Sequence, residues 1–270
     1  MCFVNHLILQ IQTFRSQLLR KVIIIDGAHL KGDYLGTMFL VVGMDANNQV
    51  VPIAIGVSKS ESGESCTYFL EMLKKCIGEM DGLVFMTDRS KSLRQAINIV
   101  YPTAHHALCC RHLYMNIKAK DGSVEYNKKI FWKTCKAYTA YEFNLNMSAL
   151  RASVPGAVLL DKVHPNRWSR AHFPGVRYNI MTSNSVESMN AHSRFARRRP
   201  IVGLMDYFRS YQQEWYSKRR DLAGHYSHTS LFILMSKFCC NTNVPVMLLC
   251  STPDQYPYTL GGGEGSKESR

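Results

Sequence analysis

Val22-Ile23-Ile24-Ile25 places four β-branched residues in a row, and the run stops at Asp26-Gly27. A strand with one wet face alternates apolar and polar residues. An unbroken run requires burial on both faces, and so a sheet covered by helices on each side. The following residues fit such a sheet. Thr37 to Met44 and Gln49 to Val57 read as two more strands, joined by the turn signal Asp45-Ala46-Asn47-Asn48. Three successive strands with short connections predict an antiparallel meander.

The period then becomes helical. Between Glu64 and Met80 the residues Tyr68, Phe69, Met72, Leu73, Cys76 and Ile77 fall on one face. Leu83 to Met86 reads as a short buried strand ending at Thr87-Asp88, Ser90 to Val100 as a helix, and Ala104 to Leu108 as a fifth strand. The order βββαβαβα is that of an α/β fold, a meander followed by parallel crossovers. Beyond Arg111 the pattern is helical and aromatic, interrupted by Pro155, Pro165 and Pro174, and a long helical pattern resumes from Ser185 to Arg220. Residues 1–20 carry apolar positions at helical spacing.

Composition narrows the partner. The 270 residues hold 33 Lys and Arg against 20 Asp and Glu, a formal charge of +13, which favours a polyanion such as nucleic acid. A hydrophobic share of 46% excludes a disordered chain. No apolar run approaches the roughly 18 residues that span a bilayer. Nine cysteines without regular spacing, two pairs of them adjacent, and no leader-like start predict a reducing compartment.

Two carboxylates stand out by position. Asp26 ends the first buried strand and Asp88 the fourth, where ligands bind in open sheets. Adjacent carboxylates repel unless a cation or proton lies between them, and oxygen-only ligands suit Mg²⁺ or Mn²⁺. Glu187 sits in the first turn of a helix with Ser183 or Asn184 as N-cap. Its bland reading is a capping-box glutamate.

These residues lie in a longer series. Asp26-Gly27-Ala28-His29-Leu30-Lys31-Gly32, Tyr34-Leu35-Gly36, Val51-Pro52-Ile53-Ala54 and Thr87-Asp88-Arg89 come first. Ala104 through Leu113, Asn116 and Lys118 follow, then Thr182-Ser183-Asn184, Val186-Glu187-Ser188, Asn190 and Arg199-Pro200-Ile201. In order and spacing the series resembles the catalytic core of plant Mutator-like element (MULE) transposases. The resemblance implies a ribonuclease-H-like fold, a mixed five-stranded sheet with flanking helices and a helical insertion before the third acidic residue. It implies that Asp26, Asp88 and Glu187 form a DDE triad holding two Mg²⁺ or Mn²⁺ ions, that the activity is DNA strand cleavage and strand transfer, and that the protein works in the nucleus on transposon ends or non-specific duplex. Self-association is left open.

On this resemblance the chain divides into an N-terminal helical remnant (1–20), the first part of the core (21–112), the insertion (113–180), the core continued through an acidic helix and the next one (181–222), and a C-terminal extension with a disordered tail (223–270). Cys109-x-x-His112 matches a family signature. Alone it is half a zinc site, so zinc is not expected in this fragment, and Cys110 and His106 read as local packing. Lys31, Arg89, Arg111, Arg197, Arg198 and Arg199 are the candidate DNA contacts, and Trp132, Trp168 and Trp215 read as core anchors. Neither an N-terminal zinc-binding domain nor a C-terminal SWIM-type finger is seen, which fits a truncated or non-autonomous copy. The competing reading is a non-catalytic, transposase-derived DNA-associated regulator of the far-red-impaired-response type. A ribonuclease H would share the fold without the insertion.

Overall fold

A computed structural model describes residues 8–11, 19–33, 35–45 and 48–224. Strands β1 (Ile8–Ile11), β2 (Leu19–His29), β3 (Thr37–Asp45) and β4 (Val50–Ser58) are followed by helix α1 (Gly63–Ile77), β5 (Val84–Thr87), α2 (Lys91–Val100) and β6 (His105–Leu108). Next come α3 (Cys110–Lys120), α4 (Lys128–Lys136) and α5 (Ala140–Ser153), then α6 (Asn184–His192) and α7 (Ile201–Gly224). The sheet order is β1-β4-β3-β2-β5-β6, antiparallel except for the parallel pairs β2–β5 and β5–β6.

The five strands β2 to β6 are those expected, in the ribonuclease-H-like arrangement of a meander extended by two parallel crossovers. β1 corrects the helical reading of residues 1–20, since 8–11 form a strand against β4 and β2 already begins at Leu19. The physical reason is tertiary: pairing along the open side of β4 satisfies backbone groups that a helical spacing of side chains does not foresee.

The run 22–25 behaves as its composition demands. Ile23 and Ile25 enter one core with Phe39, Phe69 and Phe85 beneath α1 and α2, while Val22 and Ile24 enter the opposite core with α6 and α7. At the predicted hairpin the Asp45 carboxylate accepts the Gln49 amide at 2.8 Å, and Asn48 takes φ of 61°.

A third core belongs to the insertion, where α3, α4 and α5 enclose Phe131, Phe143, Leu150 and the fully buried Trp168. Pro155 and Pro165 each open a 3-10 segment, as residues without an N–H do. Arg177 straps the insertion to the sheet, donating to the carbonyls of Trp168 and Leu108 at 3.0 and 3.3 Å. The helical pattern from 185 to 220 is two helices. α6 ends at His192, and α7 starts after Pro200, whose ring does not fit a helix interior. No helix among the described residues is long and apolar enough to cross a membrane. The expected C-terminal extension lies outside the described residues from 225 onward, and its expected disordered tail, Gly261 to Arg270, wholly so.

Candidate active site

Strand register builds the site. β2 pairs with β5 through Val22↔Val84, Ile23↔Phe85 and Ile24↔Met86, and β5 with β6 through Val84↔His105 to Thr87↔Leu108. Continued past the last paired residues, both registers set Asp26, Asp88 and Cys109 in one row across three parallel strands; Asp26 lies inside β2, which runs on to His29 against β3, and not at its end as expected. The Cys109 amide donates to the Thr87 carbonyl at 3.0 Å and carries the ladder on to that row. Strand parity turns Asp26 to the face of Val22 and Ile24, the face covered by α6.

α6 brings the third carboxylate. Asn190, one turn after Glu187, donates its side-chain amide to Asp26 Oδ2 at 2.7 Å. Asp88 Oδ1 accepts the Ser90 amide at 2.9 Å, and Ser90 Oγ donates to Glu61 in a very short bond. Burial, and then the neighbouring charges of Asp88 and Glu187, push the Asp26 carboxyl up to about 6 against the opposing hydrogen bond from Asn190 and the pull of His112. The three acidic residues predicted from sequence therefore share one electrostatic neighbourhood.

Glu187 is not a capping-box residue. Ser183 is the N-cap of α6, but its hydroxyl donates to Glu187 Oε1 at 2.8 Å, and its own amide donates to Cys109 Sγ at 3.3 Å rather than to the glutamate. Glu187 Oε2 lies 3.4 Å from Arg111 Nε, and Oε1 lies 4.0 Å from His112 Nδ1. The Cys110 amide bonds the Met181 carbonyl at 2.9 Å, so the N-termini of α3 and α6 abut and direct the positive ends of two helix dipoles at this cluster.

Cys109 and His112 thus belong to the site. Burial pushes the Cys109 thiol up, yet its contacts with His112 and Ser183 more than offset it, leaving the thiol below its ordinary value. Contact with Cys109 leads the causes that lift His112 to about 9, against the opposing effect of burial. The donor atoms of Cys109, His112 and Glu187 lie within 4.8 Å of one another. Spacing alone offered half a metal site, and α6 supplies the third donor. Cys110 and His106 pack as expected. Cys110 is buried against the Trp168 carbonyl, and His106 sits between Thr87 Oγ1 at 2.8 Å and Arg167 at 3.1 Å.

The basic candidates divide. Lys31, Arg89, Arg198 and Arg199 are exposed, and Arg111 is half-exposed beside Glu187. Arg197 is a correction: at 8% exposure it donates to the carbonyls of His29 at 2.8 Å and Asn190 at 2.9 Å, so it braces the site and does not face solvent. Close approach of the two segments also explains Gly32, where a Cβ would stand 2.5 Å from the Arg198 carbonyl oxygen.

A feature that sequence reasoning missed lies on the insertion. A cavity of about 1050 Å³ is lined by Lys128, Lys129, Lys133, Lys136 and Arg170 together with Tyr126, Trp132 and Tyr138. Trp132 and Lys136 also line a second cavity, of about 380 Å³, that reaches Arg111, Thr182 and Asn184. The basic, aromatic groove therefore leads from the insertion to the edge of the acidic cluster. Asn190 was visible in the motif without a role. Its spacing of three from Glu187, which puts both on one helical face, was the available signal. Glu61 had none, because only the fold brings it to Ser90.

A family model described as MULE transposase domain matches residues 22–116, about a third of the chain. The match takes in Asp26, Asp88, Cys109 and His112 and ends before Glu187. Among solved structures, a chain of the simian T-cell lymphotropic virus intasome in complex with the PP2A regulatory subunit B56 gamma is similar, at 11% identity and a TM-score of 0.26. The similarity covers 62% of this chain and 56% of that one, and likeness at this level carries no residue role across. No curated protein matches significantly.

Proposed function

We propose that this chain is the catalytic core of a DDE-type, Mutator-like DNA transposase that cleaves and transfers DNA strands with divalent metal. The observation that carries the reading is the register of β2 and β5. Carried two residues past its last pair, Ile24↔Met86, that register brings Asp26, inside β2, level with Asp88, just after β5, and α6 is tied to Asp26 through Asn190. The match of residues 22–116 to a MULE transposase domain supports it.

The donor set fits Mg²⁺ or Mn²⁺. Among the described residues, hydrogen bonds engage only one oxygen of each aspartate. The Asn190 Oδ1 acceptor is buried without a partner beside them, and Asp26 is lifted by burial and then by its neighbours' negative charge, both of which a bound dication opposes. Asp26, Asp88 and Glu187 would hold the ions, which when bound activate an attacking water or 3′-hydroxyl and stabilise the leaving oxygen. The protein's own contribution is orientation: Asn190 fixes Asp26, the Ser90 amide fixes Asp88, and Ser183 with Arg111 fixes Glu187.

The groove between the insertion and Arg111 offers cations for phosphates and rings for unpaired bases. Exposed Lys31, Arg89, Arg198 and Arg199 extend the basic surface. This reading carries with it a plant mobile-element origin and action in the nucleus. The test is Mn²⁺- or Mg²⁺-dependent cleavage of DNA by the purified chain, with Asp88→Asn as control. Cleavage by the wild type alone supports the proposal. DNA binding without cleavage under any divalent metal would favour the non-catalytic regulator.

A further inference from the structure

We propose that Cys109 Sγ, His112 Nδ1 and a Glu187 carboxylate oxygen form a binding site for a thiophilic divalent cation of the zinc class, beside the aspartates and sharing Glu187 with them. One sulfur, one imidazole nitrogen and one carboxylate oxygen make up a mixed donor set that suits Zn²⁺ better than Mg²⁺.

The geometry is close to a tetrahedral shell. Zinc bond lengths of about 2.0–2.3 Å put tetrahedral donors about 3.3–3.6 Å apart, and the three donors here all lie within 4.8 Å of one another. A small side-chain adjustment closes the difference. His112 Nδ1 is buried beside Cys109 and 4.0 Å from Glu187 Oε1, with no hydrogen bond of ordinary geometry. An imidazole nitrogen left in that state is costly unless something occupies the space before it.

The surroundings are those of a supported metal site. Ser183 steers two of the three donors, its amide to the sulfur at 3.3 Å and its hydroxyl to Glu187 Oε1 at 2.8 Å. Such outer contacts orient ligands and are part of a metal site's construction. The carboxylates of Glu187 and the nearby Asp26 and Asp88 face Arg111, half-exposed, and His112, and a cation bound at the imidazole takes the place of its proton. Three protein donors leave a fourth position for water or a phosphate oxygen.

The inference does not depend on the chain cleaving DNA, and its test is binding. The reduced, chelator-stripped full chain is titrated with Zn²⁺ and analysed by equilibrium dialysis, and its one-to-one complex is measured by zinc X-ray absorption. The expected result is one zinc bound at micromolar affinity or tighter, with a shell of one sulfur and otherwise nitrogen and oxygen. Cys109→Ser and His112→Gln should each weaken binding at least tenfold, whereas Cys66→Ser should leave it within about twofold. A shell with no sulfur or with two or more overturns the proposal, and that spectrum needs only the wild type. Binding unchanged in Cys109→Ser overturns it as well.

Discussion

Asn190 donates its side-chain amide to Asp26 at 2.7 Å across 164 residues of chain, and so fastens the helix of Glu187 to the strand of the first aspartate. The bond favours the ionised carboxylate and opposes the upward push of burial. Asn190→Ala should therefore raise the Asp26 pKa above about 6 and cost about 1.5–3 kcal/mol of stability, in the range of a hydrogen bond to a charged group. NMR titration of Asp26 together with urea unfolding checks both. A fall in the Asp26 pKa would refute the assigned role.

Asp26 also sets a pH dependence. Its folded value of about 6 lies above the ordinary 3.8, so the native state binds the proton more tightly than the unfolded chain. Stability from this group is fully present below pH 4 and is lost as pH rises through about 6, amounting to about 2–3 kcal/mol at most. Asp26→Asn should melt above the wild type at pH 7.5 and gain nothing at pH 4. Millimolar Mn²⁺ should raise wild-type melting at pH 7.5 and leave Asp26→Asn unmoved. Equal melting of the two proteins at both pH values would remove the carboxyl from this account.

Glu187→Gln separates a catalytic carboxylate from a helix cap. The amide keeps an oxygen for the Ser183 hydroxyl and forfeits the ion pair with half-exposed Arg111, which is worth about 1 kcal/mol or less. Cleavage should fall below detection while melting and DNA affinity stay near wild type. Retained cleavage with reduced stability would return Glu187 to the role of a first-turn helix stabiliser.

The sheet was legible because its signals are local: 22–25 is continuous, Asp45-Ala46-Asn47-Asn48 is a turn signal, and Asp88 directly follows its strand, although Asp26 lies inside β2, which pairs with β3 as far as His29. The edge strand 8–11 was not, since only pairing with β4 distinguishes it from a helical pattern. Cys109 and His112 were found as a motif, but their third partner depends on how the insertion returns α6 to the sheet. Arg197 looked like a member of a basic run, and nothing in a charge pattern separates a brace from a surface contact. The groove was hidden for a similar reason. Its lysines come from α4, its Arg170 from a later loop, and Trp132, read as an anchor, both packs on the insertion core and lines the cavity.

That groove makes a prediction about binding. Lys129→Glu with Lys133→Glu should weaken single-stranded DNA binding and lower the salt slope by about 0.7 for each phosphate no longer neutralised. Tyr126→Ala removes a ring that is 93% exposed, so it should lower affinity for single strands without changing melting. Filter binding across a salt series, with single and double strands side by side, provides the measurement. Unchanged affinity in the double lysine variant would place the DNA elsewhere.

Arg197 tests the distinction between holding the site and holding DNA. Its guanidinium bridges the carbonyls of His29, at the end of β2, and Asn190, on α6, so it ties together the elements that carry Asp26 and Glu187. Arg197→Ala leaves two partly or fully buried carbonyls without their donor and should cost about 2–4 kcal/mol. Lysine cannot fork between two acceptors in this way, so Arg197→Lys should recover only part of that stability. The salt slope of DNA binding, measured well below the melting transition, should match the wild type in both variants. Arg198→Ala and Arg199→Ala, at exposed neighbours, should do the reverse: melting held within about 0.5 kcal/mol, and a duplex salt slope reduced by about 0.9 for each phosphate that goes unneutralised. An Arg197→Ala protein of wild-type stability with a lowered salt slope would restore Arg197 to the DNA-contacting surface.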